Sequence, residues 1–145
     1  MISTDKLYMA LLQILPKDYP IRFSYLDLAS SENNTIKVIK NTAALYFRSA
    51  GNPVARDISS GKYGQEMMRV VMNIFTDRGE AGVLAGLDYC DRVCKILDRV
   101  FNQTFVIGET KVYIADCQKI GNYQYVGPTK QGIASFSLNY LIKYF

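Results

Sequence analysis

The sequence predicts an α+β fold in which a mostly antiparallel, twisted sheet carries two helices packed on one face. Two segments have apolar residues at helical spacing, and several others alternate apolar and polar residues with the period of a strand. Their order along the chain is helix, strands, long loop, strand, helix, strands, which is typical of this fold class. The length of 145 residues is that of one domain, so we expect a single domain over 1–145.

The first helix is predicted near the N-terminus. Leu7, Leu11 and Ile14 recur at helical spacing, and Pro16 ends the pattern because proline has no N–H to donate and clashes with the preceding turn. Residues 20–28 follow with the alternation of a strand.

Two more strands and a loop complete the first half. Residues 35–40 and 42–49 are short and rich in β-branched and aromatic residues, which favours strands. Residues 50–64 contain three glycines and a proline, and we expect a long loop of a kind that is often functional. Residues 65–77 form the next strand, with one continuous apolar face and one mixed face, as in a central strand that is partly exposed on its second side.

A second helix is predicted over residues 79–101. Its apolar residues lie four, three, four, three and four positions apart, which makes a single stripe for packing on the sheet. Gly82 and Gly86 either weaken its first turns or let them pack closely on a neighbour. The stripe consists of Val83, Leu87, Cys90, Cys94, Leu97 and Phe101.

The rest of the chain is strand-like. Residues 104–108 and 111–117 form two strands around a turn at Gly108, and residues 119–127 lead to another turn. Residues 133–145 have the clearest alternation in the chain, and we expect this long strand to be paired on both sides or used in an interface. One face of it carries Ala134, Phe136, Leu138, Tyr140, Ile142 and Tyr144.

The composition argues against an enzyme. Histidine is absent, which removes the commonest general base and the commonest metal ligand. The three cysteines, Cys90, Cys94 and Cys117, are too few for a tetrahedral zinc site and favour buried apolar positions. Asp88 and Asp91 each precede a basic residue by four positions, so they indicate a solvated helix face rather than a catalytic pair. We expect no catalytic residue, no metal and no cofactor.

Binding to nucleic acid or membrane has weaker support. The net charge of +4 is spread along the chain, and no glycine-rich phosphate-binding motif is present. No apolar run approaches the roughly 20 residues of a membrane span, and the N-terminus lacks the basic start of a secretory signal. We therefore expect no membrane contact and a cytoplasmic location by default. Five tyrosines could form a stacking platform for single-stranded nucleic acid, although core positions are the commoner role: Tyr113, Tyr123, Tyr125, Tyr140 and Tyr144.

The C-terminal segment YQYVGPTKQGIASFSLNYLIKYF resembles the end of the tail-terminator or minor capsid proteins of long-tailed bacteriophages. Those chains end in Gly-Pro, a polar turn with glycine, and an aromatic strand. The central block, with its glycine-rich loop, strand and amphipathic helix, is similar to that family too. The matching C-terminal residues are Gly127, Pro128, Gly132, Phe136, Ser137, Leu138, Asn139 and Tyr140.

The resemblance implies a structural protein of the virion with no catalytic residues. Such subunits form a ring, typically a hexamer, at the head-proximal end of the tail tube. The ring ends tube growth and joins the tail to the head connector or stopper protein, and DNA passes its pore without sequence-specific binding. Assembly would take place in the host cytoplasm, and the location of the finished protein would be the virion.

Residues of the long loop and the last strand are the predicted contacts with neighbouring subunits or with the tube. The alternative function is a nucleic-acid-binding module that uses the tyrosine-rich strands and the net positive charge. The interface candidates are Val54, Arg56, Asp57, Ile58, Lys62 and Tyr63 in the loop, with Phe136, Asn139 and Tyr140 in the strand.

Overall fold

A computed structural model describes residues 4–24, 39–49, 66–128 and 132–145. Within these ranges the chain forms two helices and seven strands. The helices are α1 (Thr4–Ile14) and α2 (Glu80–Leu97). The strands are β1 (Ile21–Ser24), β2 (Thr42–Ser49), β3 (Glu66–Thr76), β4 (Phe101–Ile107), β5 (Thr110–Lys119), β6 (Gln124–Pro128) and β7 (Ala134–Tyr144).

The strands form one curled sheet. Its order is β1-β2-β3-β7-β5-β4, and β6 pairs with β7 beside that path. Only β1 and β2 are parallel among the described pairs, and every other pair is antiparallel. Both helices pack on one face, so the predicted α+β fold is confirmed.

The long C-terminal strand β7 lies at the centre of the sheet. It pairs with β3 along its whole length on one side, and with β6 and then β5 on the other. The prediction that this strand is paired on both sides is therefore confirmed. Its inward side chains are buried against the helices: Ala134, Phe136, Leu138, Tyr140, Ile142 and Tyr144.

Helix α1 ends where the sequence predicts, next to Pro16, and buries Leu7, Ala10 and Leu11. It touches both outer strands of the sheet. Near its start, the Tyr8 hydroxyl donates to the carbonyl of Ile21 in β1 at 3.5 Å. Near its end, the Gln13 side-chain amide donates to the carbonyl of Val106 in β4 at 3.1 Å. The sheet therefore curls around α1, which lies between its two edges.

Helix α2 ends earlier than predicted. Asp98 caps it, with its N–H pointing to carbonyls of the last turn, and the chain then turns into β4. The predicted stripe member Phe101 therefore begins a strand and is 66% exposed, so its assignment to the helix was wrong. Its spacing fits the helical pattern by coincidence. The helix has already ended at Leu97, and a turn at Asp98 and Arg99 separates it from Phe101.

The rest of the α2 stripe is confirmed. Cys90, Cys94 and Leu97 are buried, and Val83 and Leu87 are half-buried against the same core. The buried face also contains residues that the predicted stripe omitted, which widens it on one side: Gly86, Tyr89 and Val93.

Gly86 lets α2 approach the sheet closely. A Cβ at this position would lie 2.3 Å from Cε2 of Phe136 in β7, which is far inside van der Waals contact. Close packing, one of the two roles that the sequence left open for this glycine, is therefore the observed one.

On the second face of the sheet, the burial of side chains changes along β3. Met67 and Arg69 in β3 are half-buried on this side, whereas Val71 and Phe75 are buried, the latter in a small cluster with Ala44. The partly exposed second side predicted for β3 is thus found in its first half only.

Several predicted segments fall outside the described residues. They are the continuation of the first strand after Ser24, most of the predicted strand at 35–40 and the loop at 50–64. The described end of the second segment, Ile39 and Lys40, is not part of a strand.

Replacing Leu97 by alanine tests the packing of α2. Its side chain is 5% exposed in the main core, so Leu97→Ala should lower the free energy of unfolding by about 2–5 kcal/mol. Chemical denaturation followed by circular dichroism measures the loss. The control is Leu84→Ala on the same helix, where the side chain is 57% exposed and the change should stay within about 0.5 kcal/mol. Equal losses for both variants would contradict the observed orientation of α2.

Candidate functional site

The outer edge of β4 is the candidate interaction site. This strand ends the sheet, so its far side has no strand partner among the described residues. Its sequence, FNQTFVI, contains no charged residue and no proline. Edge strands of soluble proteins are commonly protected by charges, proline or a covering element, because unpaired backbone groups template pairing with another chain.

Two large apolar side chains are exposed on this strand. Phe101 is 66% exposed and Val106 is 58% exposed, the highest values for large apolar residues in the described part of the chain. Their neighbours Asn102, Gln103 and Thr104 are also exposed, while Phe105 and Ile107 point into the core. The edge therefore combines open backbone groups with apolar surface.

One contact from α1 partly covers the edge. Because Gln13 donates to the Val106 carbonyl, that carbonyl faces away from β5. Backbone groups two residues apart in an antiparallel strand face the same way, so those of Thr104 also face outward. At its start the strand is irregular, since Asn102 has a φ of 47° and its side chain accepts a hydrogen bond from the Tyr113 hydroxyl.

The predicted interface residues are not brought together. Phe136 and Tyr140 are buried in the core, at 0% and 1% exposure, so they cannot reach a partner. The assignment fails for them because alternation along β7 puts both on the helix side. Asn139 lies on the opposite side, half-buried, and accepts from Arg69 Nη2 at 3.1 Å. The loop candidates, Val54 to Tyr63, lie outside the described residues and stay a prediction.

The five tyrosines proposed as a stacking platform are also dispersed. Tyr140 and Tyr144 are buried in the core, and Tyr123 is half-buried against it. Tyr113 lies on the other face beside Phe145, with ring centroids 5.5 Å apart, and Tyr125 is 49% exposed over Phe136. This set of rings therefore offers no common platform.

The carboxylates of α2 take part in surface ion pairs. Arg92 binds Asp18 through two N–H groups, at 2.6 and 3.0 Å, and Asp88 through Nε at 3.0 Å. This hydrogen bonding lowers the pKa of Asp18 and raises that of Arg92. Asp98 lies 3.9 Å from Lys119. The pairs with Arg92 hold the connection between α1 and β1 against α2. Ion pairs on the surface are also what the sequence predicts for a solvated helix face.

All three cysteines are buried as free thiols, as their apolar spacing predicts. Burial raises the pKa of Cys90 and of Cys117 to about 12 in each case, with nearby cysteine or aspartate groups adding to the effect. Thiols that stay protonated at neutral pH are poor nucleophiles and poor metal ligands.

The described residues contain neither a candidate metal site nor a candidate membrane helix. Within these ranges no three cysteine or acidic side chains gather into a group that could hold a metal ion. Neither helix in these ranges has the length and apolarity needed to span a bilayer.

Comparison of the sequence with models of known protein families and with curated proteins finds no match.

Sequence reasoning missed the β4 edge because Phe101 was assigned to a helix. A signal was present, since the seven residues of FNQTFVI contain no charge in a chain that is 21% charged. Which strand lies at the edge of a sheet depends on the pairing order, and that order is not encoded in the local pattern of any one strand.

The buried thiols predict a loss of stability at alkaline pH. A cysteine titrates near pH 8.5–9 in the unfolded chain but near 12 at positions 90 and 117 of the folded one, so the folded state binds more protons above about pH 9. The free energy of unfolding should therefore fall between pH 9 and 10, by up to about 1.4 kcal/mol per pH unit for each thiol.

Denaturant titrations at several pH values measure this slope. Cys90→Ala should lose the part of the slope that comes from Cys90. It should keep the parts that come from Cys117 and from buried tyrosines such as Tyr89, whose pKa burial also raises. A free energy of unfolding that does not change over this range would contradict the burial of the thiols.

Proposed function

We propose that the protein is a structural subunit of a bacteriophage virion that assembles into a ring, a hexamer in the form that the resemblance implies, at the head-proximal end of a long tail. There it would end growth of the tail tube and join the tail to the head connector. Its partners would be other copies of itself, the tail-tube protein and the connector or stopper protein, and it would have no catalytic role.

The observation that carries this proposal is the uncharged edge of β4. Pairing of an edge strand with a neighbouring chain would satisfy its outward backbone groups and bury Phe101 and Val106 at the same time. Among the described strands the second edge of the sheet is β1, so one copy can place β4 against the β1 side of the next. A contact between two different surfaces is heterologous, and heterologous contacts close into rings when the rotation allows.

The sequence resemblance supplies the setting in the virion. Gly127 and Gly132, which belong to the matching C-terminal pattern, both have positive φ angles, 97° and 77°. Gly127 lies in β6 and Gly132 lies two positions before β7, and glycine adopts both of these backbone conformations readily. Two residues of the matching pattern are therefore glycines for a conformational reason, and the setting in the virion rests on the sequence resemblance itself.

The mass of the purified protein tests the proposal. Sedimentation velocity and negative-stain imaging, with and without the tail-tube protein of the same phage, should show a closed ring of several copies. A protein that stays monomeric at high concentration and beside the tube protein would contradict the proposal. A stable dimer would contradict it too, because β4 pairing with β4 around a two-fold axis is a closed contact that forms no ring.

A charge on the β4 edge should prevent assembly. Val106→Lys places an ammonium group where a neighbour would pack, so subunit association should weaken by roughly tenfold or more, given the ~1.5–3 kcal/mol of burying such a side chain. Sedimentation velocity over a concentration series measures the change.

Leu84→Lys is the matched control, since Leu84 is 57% exposed but lies on α2, away from the sheet edge. Association that falls equally in both variants, or in neither, would show that β4 is not the contact between subunits.

A further inference from the structure

The face of the sheet opposite the helices carries an excess of positive charge. We call this face the outer face. Side chains alternate along a strand, so a residue lies on the outer face when its sequence neighbours point into the core on the helix side. Among the described strand residues it carries five cationic side chains and one carboxylate, Asp116. The cations are Arg22, Arg48, Arg69, Lys111 and Lys143.

Two of these cations face each other directly. Arg48 in β2 and Arg69 in β3 are register partners, and like charges in such positions repel. Lys143 lies diagonally next to Arg69, since β7 pairs Leu141 with Arg69 and Lys143 with Met67. Arg69 reaches only Asn139 among the described residues, through Nη2, and its Nε is buried without an acceptor. Lys143 has the carboxylate Asp116 as its register partner in β5, whereas Arg48 and Arg69 have only each other across the pair of strands they share.

Aromatic rings lie within the same surface. Tyr46 is half-buried two positions from Arg48 in β2, and Tyr113 and Phe145 form their ring pair at the end of β7. Such rings stack on the unpaired bases of single strands, so binding of a duplex would depend on the cations of this face rather than on its rings.

The helix side of the molecule has a different charge pattern. Its acidic residues lie next to basic ones. Asp88 pairs with Arg92 on α2, and Asp98 pairs with Lys119 of β5. The described surface therefore contains no acidic patch that would match the outer face of a second copy. A polyanion of another kind is the better complement to this face.

We propose that the outer face binds the phosphate backbone of DNA without sequence specificity. Arg48, Arg69 and Lys143 would contact phosphates, and contacts with phosphates carry no sequence information. Binding of this kind depends on the outer face of a single subunit. That the same face lines the passage for DNA rests on the proposed function, since it requires a ring.

Fluorescence anisotropy of a labelled duplex of mixed sequence tests the proposal, over a series of salt concentrations. The protein should bind, and the affinity should fall steeply as salt rises. The double variant Arg48→Gln with Lys143→Gln should reduce the slope of log affinity against log salt by about 1.8, from two lost phosphate contacts at ~0.9 each, and should weaken binding at least about tenfold at low salt.

The matched control is Lys95→Gln with Arg99→Gln, which removes the same charge from exposed positions at the end of α2. Its slope should equal that of the unaltered protein. An equal loss in both double variants would overturn the proposal, because binding would follow net charge rather than the outer face. Absence of binding at about 50 mM salt would also overturn the proposal, and an acidic protein would then be the better candidate partner for this face.

Val106 shares the outer face with its register partner Lys111, so the variant that separates the two proposals must leave the charge unchanged. Val106→Pro does so and blocks strand pairing at the edge. If that variant fails to assemble but retains the salt slope for DNA, the outer face binds DNA in the single subunit. If the unaltered protein forms rings that show no salt-dependent binding, the ring stands and the assignment of its outer face to DNA is wrong.

Discussion

The packing of β7 between β3 on one side and β5 and β6 on the other is the constraint on which the rest of the structure depends. This strand supplies one inward row of large side chains to the core, and its partners take their register from it. Helix α2 lies over it at a distance set by Gly86 against Phe136, where a Cβ would not fit. The close approach brings Tyr89, Cys90 and Val93 into the core, where they are fully buried.

The curl of the sheet around α1 explains why one edge is left open. Helix α1 reaches β1 through Tyr8 and β4 through Gln13, so it fills the space between the two edges without pairing with either. A helix can cover the inner side of an edge strand, but its own hydrogen bonds are internal, and it cannot continue the ladder. Among the described residues, Gln13 occupies the outward carbonyl of Val106, and the other outward backbone groups of β4 have no strand partner. Pairing of these groups with a strand from another chain is the physical basis of the proposed assembly.

The sequence predicts those elements whose apolar pattern is long and consistent. Strand β7 is recovered almost to the residue, because its eleven residues alternate without a break, and the end of helix α1 is recovered next to Pro16. Helix α2 is predicted too long, since Phe101 continues the spacing by chance after the helix has ended at Leu97. The division of the β7 side chains between two faces is correct, but Phe136 and Tyr140 were also assigned to an interface that their burial excludes. The open edge and the cationic outer face arise from strand order, which brings distant residues such as Arg48 and Arg69 together.

Amide hydrogen exchange of β4 tests the central claim, that subunits join through this edge, most directly. The outward N–H groups near Thr104 and Val106 should exchange quickly in dilute, monomeric protein and become protected when the protein assembles. Protection of α2 should stay the same in both states, because that helix already packs on the sheet. An assembled particle in which β4 exchanges as fast as in the monomer would contradict the account.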